Sequence, residues 1–317
     1  MTRETDDSLW RDCPKTAGEF EARFASEEDC HAYWIEARWR YADVRALQLD
    51  AAVERARRLP VRVRGLQPPG KPDVGTLLEK TRKPLKTWFR AIFEISARRN
   101  GISAKDPQRI TGFGSYKTAW AWVHKLRAAT MRSDSEPLGP FVQMDEALVG
   151  GKGGPHKQLV LVAAEANGRV RLAHAGNNDA GTLEIFPTTE IAADAHVVTD
   201  GHAGYSATSL GTRPHERKVQ TKAERREADA LQGCHWTASL LKRWLLGTHA
   251  GAVKPKHLQA YLDSFAFRHN RPKTSGVTRI AARVIEQLVV RPSLTIRELI
   301  DDTRCYRKFA SVQPATA

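Results

Sequence analysis

Three consecutive strand-like segments constrain the fold of this chain more than any other feature. The segments are FVQMDEALVG, QLVLVAAEA and RVRLAHAG, and the dipeptide Asn167-Gly168 between the last two is a strong hairpin signal. A helix is predicted next, at about residues 180–192, although Pro187 interrupts its pattern. A short buried strand, AHVVTD, then ends at Asp200, and an amphipathic helix runs from about Gln232 to Leu246.

This order of elements is typical of a ribonuclease H-like core. The predicted fold class is α/β (α+β mixed), with a mixed five-stranded sheet and flanking helices, and we place this domain at residues 135–275. Residues 1–70 are predicted to be helical and to end in a proline-rich linker. Residues 71–134 form a predicted helix-turn-helix region, helical again from Thr76, and residues 276–317 form a helical tail.

The segment GISAKDPQRITGFGSYKTAWAWVHKLRAA has the pattern of a helix-turn-helix motif. A short helix with Ser103 as its candidate N-cap is followed by a glycine-containing turn, and Ser115 is the candidate N-cap of a second helix. In such motifs the second helix enters the major groove of DNA. The alternative is an ordinary helical hairpin with a solvated basic face. The side chains predicted to face DNA in this region are Ser115, Tyr116, Lys117, Ala121, Lys125 and Arg127.

Basic residues lie on both sides of a mildly acidic middle in a chain whose formal net charge is +14. Residues 71–134 carry +9, residues 135–241 carry −3 and residues 242–273 carry +6. This distribution predicts a polyanionic partner. No apolar run approaches the roughly 20 residues that span a bilayer, and MTRETDDSLW lacks an apolar signal core. We therefore expect a cytoplasmic protein with no membrane partner. The four cysteines show no CxxC spacing, which supports neither a disulfide framework nor an ordinary zinc ribbon.

Two aspartates at strand positions are candidate metal ligands. Asp145 lies inside the first strand and Asp200 ends the fourth. An unpaired carboxylate in an apolar strand costs several kcal/mol, so a partner such as a hard divalent cation is expected. Oxygen ligands suit Mg²⁺ or Mn²⁺, and two such ions about 3.5–4 Å apart support phosphoryl transfer. The alternative is a turn or helix-cap aspartate, which an isolated Asp200-Gly201 favours.

A histidine in the last amphipathic helix is the candidate third ligand. His235 and Lys242 are seven residues apart, so both lie on one helical face. The imidazole is suited to metal ligation or proton transfer, and the lysine to contact with phosphate. From spacing alone, a partly buried histidine beside an ordinary surface lysine explains the pattern better.

Five segments together resemble bacterial insertion-sequence transposases of the DDE type, and the chain is similar to the insertion-sequence 1595 family. The similarity runs from about residue 18 to residue 273. The combination is highly specific, whereas each segment alone is moderately so. The segments are FASEEDCHAYWIEARW, the helix-turn-helix region from LLEKTRKPLKTWFRAIFEI to SYKTAWAWVHKLR, QMDEALVGGKG, VVTDGHAGY, and LLKRWLLGTHAGAVKPKHLQAYLDSFAFRHNR.

This resemblance implies a catalytic set in which Asp145 and Asp200 are the first two acids. The family's third acid lies in a helix with the pattern Asn-x-x-Glu followed by Lys, and the shared Leu-Leu-Lys aligns His235 with that Glu. In this alignment Gln232 occupies the position of the family's Asn, and Lys242 occupies the position of the family's Lys. The implied cofactor is Mg²⁺ or Mn²⁺, and a nitrogen ligand in place of a carboxylate favours Mn²⁺. The implied phosphate contacts are Lys242, Arg268 and Arg271, with solvated surface charge as their alternative.

The resemblance also implies a transposase that binds the terminal inverted repeats of its element and target double-stranded DNA, as a homo-oligomer associated with the nucleoid. Activated water, then a 3′-hydroxyl, attacks phosphodiesters in line without a covalent protein–DNA intermediate. Two features depart from the family: residues 42–60 lack the paired CxxC ligands, so no structural zinc is expected, and Ser264 replaces a Glu. Together with His235, they favour as the alternative a catalytically impaired, transposase-derived DNA-binding protein or regulator. A metal-dependent nuclease that cuts without joining is a third possibility.

Overall fold

A computed structural model describes residues 14, 16–48, 73–98, 101–130, 136–150, 157–166, 168–176, 180–249, 253–271 and 277–301. The chain divides into two compact units, one of Met1–Thr130 with Lys273–Ile296 and the other of Met131–Pro272 with Arg297–Ala317. None of the described helices combines the length and apolar composition needed to cross a membrane.

The strands and helices of the central segment follow the order that the sequence predicts, with three strands, a helix and a fourth strand. The strands are β1 (Phe141–Val149), β2 (Gln158–Glu165), β3 (Val170–Ala175), β4 (His196–Thr199) and β5 (His215–Arg217). The helices are α1 (Ala17–Arg23), α2 (Glu27–Gln48), α3 (Leu85–Ala97), α4 (Lys105–Thr111), α5 (Tyr116–Ala128), α6 (Ala180–Glu190), α7 (Ala207–Leu210), α8 (Lys222–Glu227), α9 (Gln232–His249), α10 (Pro255–His269), α11 (Val277–Val290) and α12 (Ile296–Asp301).

A mixed sheet of five strands forms the centre of the second unit. Its strand order is β3-β2-β1-β4-β5, with β1, β2 and β3 antiparallel and with β4 parallel to both β1 and β5. This sheet with its flanking helices is consistent with a ribonuclease H-like core and confirms the predicted α/β class. The predicted hairpin joins β2 to β3, where Gly168 has a φ of +88°. Asn167 lies outside the described residues.

The two faces of β1 have different neighbours because side chains alternate along a strand. Val142 and Met144 point into a hydrophobic core, and Gln143 and Asp145 point to the other face. Leu183 of α6 packs into that core and is fully buried. The face that carries Asp145 is covered by α9 instead.

A glycine lets the first turn of α9 lie close to the sheet. The Gly233 amide donates a hydrogen bond of 2.8 Å to Gln143 Oε1. A methyl group at this position would lie 2.8 Å from the same oxygen and 3.2 Å from the Ala164 Cβ. The next residue, Cys234, is buried with its Sγ 3.6 Å from the Val162 carbonyl oxygen. These contacts fix the start of α9 over β1 and β2, immediately before His235.

Helix α10 covers the outer edge of the sheet at β3. Gln259 accepts a hydrogen bond from the His174 amide at 2.8 Å and donates one to the Leu172 carbonyl at 3.1 Å. Asn270 forms a similar pair of hydrogen bonds with the backbone of Val170, at 2.7 and 2.9 Å. Strand β2 lies between β3 and β1, so α10 is separated from Asp145 by the width of two strand spacings.

The first unit is helical and is built around aromatic side chains. The indole rings of Trp88 and Trp122 stack with their centroids 3.4 Å apart, and Phe24 and Phe89 pack at 4.9 Å. Helix α11, which we predicted in a separate C-terminal tail, packs against α2 and α3 within this unit. The Leu77 amide also donates a hydrogen bond of 3.2 Å to the Leu288 carbonyl oxygen in this helix.

The predicted helix from Thr76 begins later in the structure. Residues 76–80 form turns, Lys80 has a φ of +60°, and α3 starts at Leu85, directly after Pro84. Proline disfavours helical backbone at the residue before it, so the helix cannot extend across this position. The predicted apolar face of α3 is correct at Trp88, which is 1% exposed.

Two short helices and a glycine turn occupy the predicted helix-turn-helix segment. Helix α4 begins at Lys105, two residues after the predicted cap Ser103, whose hydroxyl donates to Asp106. It ends at Gly112, in the left-handed region with a φ of +67°. Helix α5 follows with Ser115 as its N-cap residue, as predicted.

Candidate active site

Asp145 lies in the middle of β1, on the face covered by α9. Its Oδ1 atom accepts a hydrogen bond of 2.8 Å from the Glu146 amide. Burial raises the pKa of this carboxyl, while the Glu146 amide and the ring of His235 act in the opposite direction. The nearby negative charge of Asp200 also raises the pKa of Asp145.

Asp200 follows β4 at the point where that strand runs beside β1. The parallel register pairs Val142 with Val197 and Gln143 with Val198, and its continuation places Asp145 opposite Asp200. Asp200 Oδ1 accepts a hydrogen bond of 2.9 Å from the amide two residues later. The aspartate therefore supports a turn and also stands beside the first carboxylate, so the two interpretations of Asp200 are compatible.

His235 brings a nitrogen atom directly to Asp145. Its Nε2 atom lies 3.2 Å from Asp145 Oδ2, and 32% of its side chain is exposed. Helix α9 presents the ring to the sheet because Gly233 holds the first turn against Gln143. The structure thus brings two of the three predicted site residues, His235 and Asp145, into contact. The third, Asp200, lies close enough to Asp145 to raise the pKa of its carboxyl.

A second carboxylate contacts the opposite side of the same ring and was not predicted from the sequence. Asp229 Oδ2 lies 2.6 Å from His235 Nδ1, and Asp229 Oδ1 accepts a hydrogen bond of 3.0 Å from the Leu231 amide. Its only signal in the sequence is a position six residues before the histidine, at the end of a charged segment that resembles an ordinary surface. His235 therefore bridges two carboxylates.

A half-buried acid, Glu146, follows Asp145 and lies on the other face of β1. Burial raises the pKa of Glu146, and the charges of Asp145 and Asp200 add to that effect. The Tyr205 hydroxyl faces the Glu146 carboxyl and lowers its pKa, although Glu146 Oε1 and the hydroxyl do not meet hydrogen-bond geometry.

Comparison with known families decides what kind of domain carries these residues. Residues 137–270 match the model of a family described as the ISXO2-like transposase domain. This segment is a transposase domain of the insertion-sequence 1595 family. A search of curated proteins returned no significant match. The matched segment contains Asp145, Asp200, Asp229 and His235, which all lie in the second unit.

The donors present in the transposase domain fit a divalent cation by their chemistry. Asp145 and Asp200 offer carboxylate oxygens and His235 offers a ring nitrogen, a set that suits Mn²⁺ or Mg²⁺. Two adjacent, partly buried carboxylates also need positive charge nearby. Within the described ranges, no three His, Cys, Asp or Glu side chains are close enough to hold an ion without adjustment.

The exposed face of α9 continues from the transposase site along the helix. Lys242 is exposed, two turns beyond His235. Trp236, next to the histidine, is 61% exposed, which is unusual for so large an apolar side chain. Side chains three or four residues apart share a helical face. The exposed residues with this spacing are Gln232, Trp236, Ser239 and Arg243.

Two arginines predicted to contact phosphate lie elsewhere in the transposase domain. Arg268, in α10, is half-buried, and burial lowers its pKa to about 10. Arg271 donates to the Phe267 carbonyl at 2.8 Å, and its guanidinium lies 4.0 Å from the centre of the Phe267 ring. Both belong to the β3 side of the sheet, away from β1. We therefore leave Arg268 and Arg271 out of the proposed DNA contacts.

The DNA contacts predicted in the first unit divide into an exposed and a buried group. Ser115 and Lys117 are exposed at the start of α5, and Tyr116 is 49% exposed. Lys125 donates to the Leu77 carbonyl at 2.9 Å, and burial lowers its pKa. Arg127 is 7% exposed and donates to the Ile102 carbonyl at 2.8 Å, and Ala121 is 5% exposed. We therefore leave Lys125, Arg127 and Ala121 out of the proposed DNA contacts, because the first is half-buried and the other two are buried.

The structure does not test the prediction about structural zinc. Of residues 42–60, where the family has its paired cysteines, positions 49–60 lie outside the described residues. Cys30 in α2 is a free, buried cysteine, and burial raises its pKa to about 12. Cys13 and Cys305 are outside the described residues as well.

Proposed function

We propose that this chain is an active DNA transposase that cuts and joins phosphodiesters at one metal-dependent site. The observation that supports the proposal is the contact of His235 with Asp145, beside Asp200 on the neighbouring strand, within a transposase domain. An acidic pair on neighbouring parallel strands suits phosphoryl transfer, because phosphate oxygens complete the ligand set of a hard cation.

The three side chains would hold the divalent cation together with the phosphate of the DNA. When bound, the cation supplies Lewis acidity that neutralises charge developing on the phosphate. Backbone amides fix the Oδ1 atoms of Asp145 and Asp200, so the site is held by β1 and by the turn after β4. His235 supplies a neutral nitrogen from α9, which favours Mn²⁺ over Mg²⁺.

The exposed face of α9 is the proposed contact with the DNA strand that is cut. Lys242 and Arg243 would contact backbone phosphates, which position DNA without reading its sequence. Trp236 would stack on a base or sugar next to the scissile phosphate, since exposed aromatic rings in nucleic-acid sites serve as stacking platforms. The proximity of Trp236 to His235 supports this assignment.

Helices α4 and α5 are the proposed reader of the element ends. Ser115, Tyr116 and Lys117 are exposed at the start of the second helix, where helix-turn-helix proteins contact base edges. The excess of basic residues between positions 71 and 134 supports this role. Joining two ends in one reaction requires more than one copy, so we expect a homo-oligomer in the DNA complex.

A cleavage and joining assay tests the proposed function. Labelled duplexes that carry the inverted repeats flanking the reading frame are incubated with full-length protein and Mn²⁺ or Mg²⁺. We expect 3′-hydroxyl ends and joined products from the wild type and from Asp194→Asn, an exposed turn position used as the control. Asp145→Asn and Asp200→Asn are expected to abolish both products. Full activity in either variant would refute the proposed site.

The presence of His235 where the family has a carboxylate favours a second candidate, a DNA-binding regulator without catalytic activity. The variant His235→Glu separates the two. A wild-type protein that binds the ends but never cuts them, and that gains cleavage in Mg²⁺ upon this substitution, would support the regulator. Cleavage by the wild type that depends on His235 supports the transposase. Cleavage without joining would instead identify a nuclease.

A further inference from the structure

The ring of His235 is held between two carboxylates that have different surroundings. On one side, Nε2 lies 3.2 Å from Asp145 Oδ2, at the proposed catalytic site. On the other side, Nδ1 lies 2.6 Å from Asp229 Oδ2. Asp229 is in the loop between α8 and α9, and 19% of its side chain is exposed. It reaches Asp145 only through the imidazole.

Both oxygens of Asp229 are engaged, and each contact has a defined direction. The Leu231 amide can only donate, so Oδ1 is the acceptor of that hydrogen bond at 3.0 Å. An ionised carboxylate can only accept, so the proton in the contact with the histidine is carried by Nδ1. Capping the start of α9 would need only the hydrogen bond from the Leu231 amide. The second bond acts on His235 alone.

We propose that Asp229 is a positioning residue that fixes His235 as the Nδ1–H tautomer, so that Nε2 is its nitrogen donor to a divalent cation beside Asp145. The inference rests on the proposed function, because it assigns a partner to the third ligand of that site. Carboxylates that hold the distal nitrogen of a ligating histidine orient the ring and strengthen its donor atom.

The variant Asp229→Asn reverses the direction of the hydrogen bond with His235 Nδ1 and leaves the shape of the side chain unchanged. The Leu231 amide still requires an acceptor, so the asparagine oxygen stays at that position and its NH₂ group faces His235. Nδ1 then becomes an acceptor and the proton moves to Nε2. The start of α9 keeps its hydrogen bond, but the nitrogen that faces Asp145 can no longer donate its lone pair to a cation.

Two measurements on the full-length protein without DNA test this assignment. Mn²⁺ affinity is measured by electron paramagnetic resonance for the wild type, Asp229→Asn, His235→Ala and the control Asp194→Asn. Changes to such outer carboxylates typically weaken metal binding about 10- to 100-fold, and we expect a loss in that range for Asp229→Asn and for His235→Ala. Asp194→Asn is expected to bind as the wild type does. Nitrogen-15 NMR of labelled histidine in the metal-free protein, assigned with the His235 variant and recorded at alkaline pH so that the ring is neutral, is expected to show Nδ1–H in the wild type and Nε2–H in Asp229→Asn.

The inference is overturned if Asp229→Asn binds Mn²⁺ like the wild type, if its His235 tautomer is unchanged, or if the wild type does not bind Mn²⁺. Its failure is distinguishable from failure of the proposed function. Joined DNA products together with unchanged Mn²⁺ affinity in Asp229→Asn would remove the role of Asp229 and leave the transposase proposal intact. Weakened Mn²⁺ binding in Asp229→Asn, together with a wild type that binds Mn²⁺ but never joins DNA, would remove the transposase proposal and leave the role of Asp229 intact.

Discussion

The close approach of α9 to the sheet predicts opposite effects for two glycine-to-alanine changes in that one helix. A methyl group at Gly247 meets nothing within 4 Å, so Gly247→Ala gains only helix propensity and should stabilise the unit by about 0.5–1 kcal/mol. A methyl group at Gly233 would lie 2.8 Å from Gln143 Oε1 and 3.2 Å from the Ala164 Cβ. Gln143 has to move, which breaks its hydrogen bond to the Gly233 amide at a cost of about 1 kcal/mol.

Crowding against Ala164 adds to this cost, because inserting a methyl group into a packed contact typically costs about 1–3 kcal/mol. After the gain in propensity, Gly233→Ala should be destabilised by about 1–3 kcal/mol, and Gly247→Ala should be the more stable of the two by about 2–4 kcal/mol. Urea denaturation of both full-length variants measures the difference. DNA cleavage should fall in Gly233→Ala alone, because the displaced first turn of α9 carries His235 away from Asp145. Equal stability and equal activity of the two variants would refute the packing argument.

Three further predictions concern charge and exposure. Burial raises the pKa of Asp145 above its ordinary 3.8, so ionisation of this carboxyl lowers the stability of the metal-free fold as pH rises above about 3.8. In urea titrations, Asp145→Asn should therefore be more stable than the wild type at pH 7, with the difference disappearing below pH 3.8. Trp236→Ala should weaken DNA binding by about 1–3 kcal/mol, whereas Leu246→Ala, equally exposed at 61%, should not. Equal losses in a fluorescence binding assay would argue against stacking. Lys117→Ala should reduce the slope of log affinity against log salt by about one without loss of stability. Arg127→Ala should destabilise the fold by about 1–3 kcal/mol and leave that slope unchanged.

Much of the catalytic fold could be predicted because its signals are local. Alternation along β1 and the Asn167-Gly168 turn determine the first three strands, and the polar residues Asp145 and Asp200 stand out within apolar strands. Strand β5 has only three residues, His215–Arg217, with no apolar pattern. It forms because the neighbouring β4 offers an edge to pair with, which no local signal reports.

The remaining features depend on contacts between distant parts of the chain. The basic segment 71–134 predicts that Lys125 contacts DNA, but the number of charges in a segment does not tell which side chain points inward. Asp229 belongs to a segment rich in acids and bases, and only the folded loop brings it to the ring of His235. The candidate residues on strands could therefore be predicted from the sequence, whereas the carboxylate that contacts His235 from a loop could not.

The central claim is that Asp145, Asp200 and His235 form one metal-dependent site that transfers a DNA strand directly, without a covalent protein–DNA intermediate. The most direct measurement is the stereochemical course of joining at a chirally pure phosphorothioate in the target strand, with Mn²⁺ and a pre-cut element end. One in-line attack inverts the configuration at phosphorus, and we predict inversion by the wild type and no product from Asp145→Asn. Retention of configuration, or joined product from Asp145→Asn, would contradict the account.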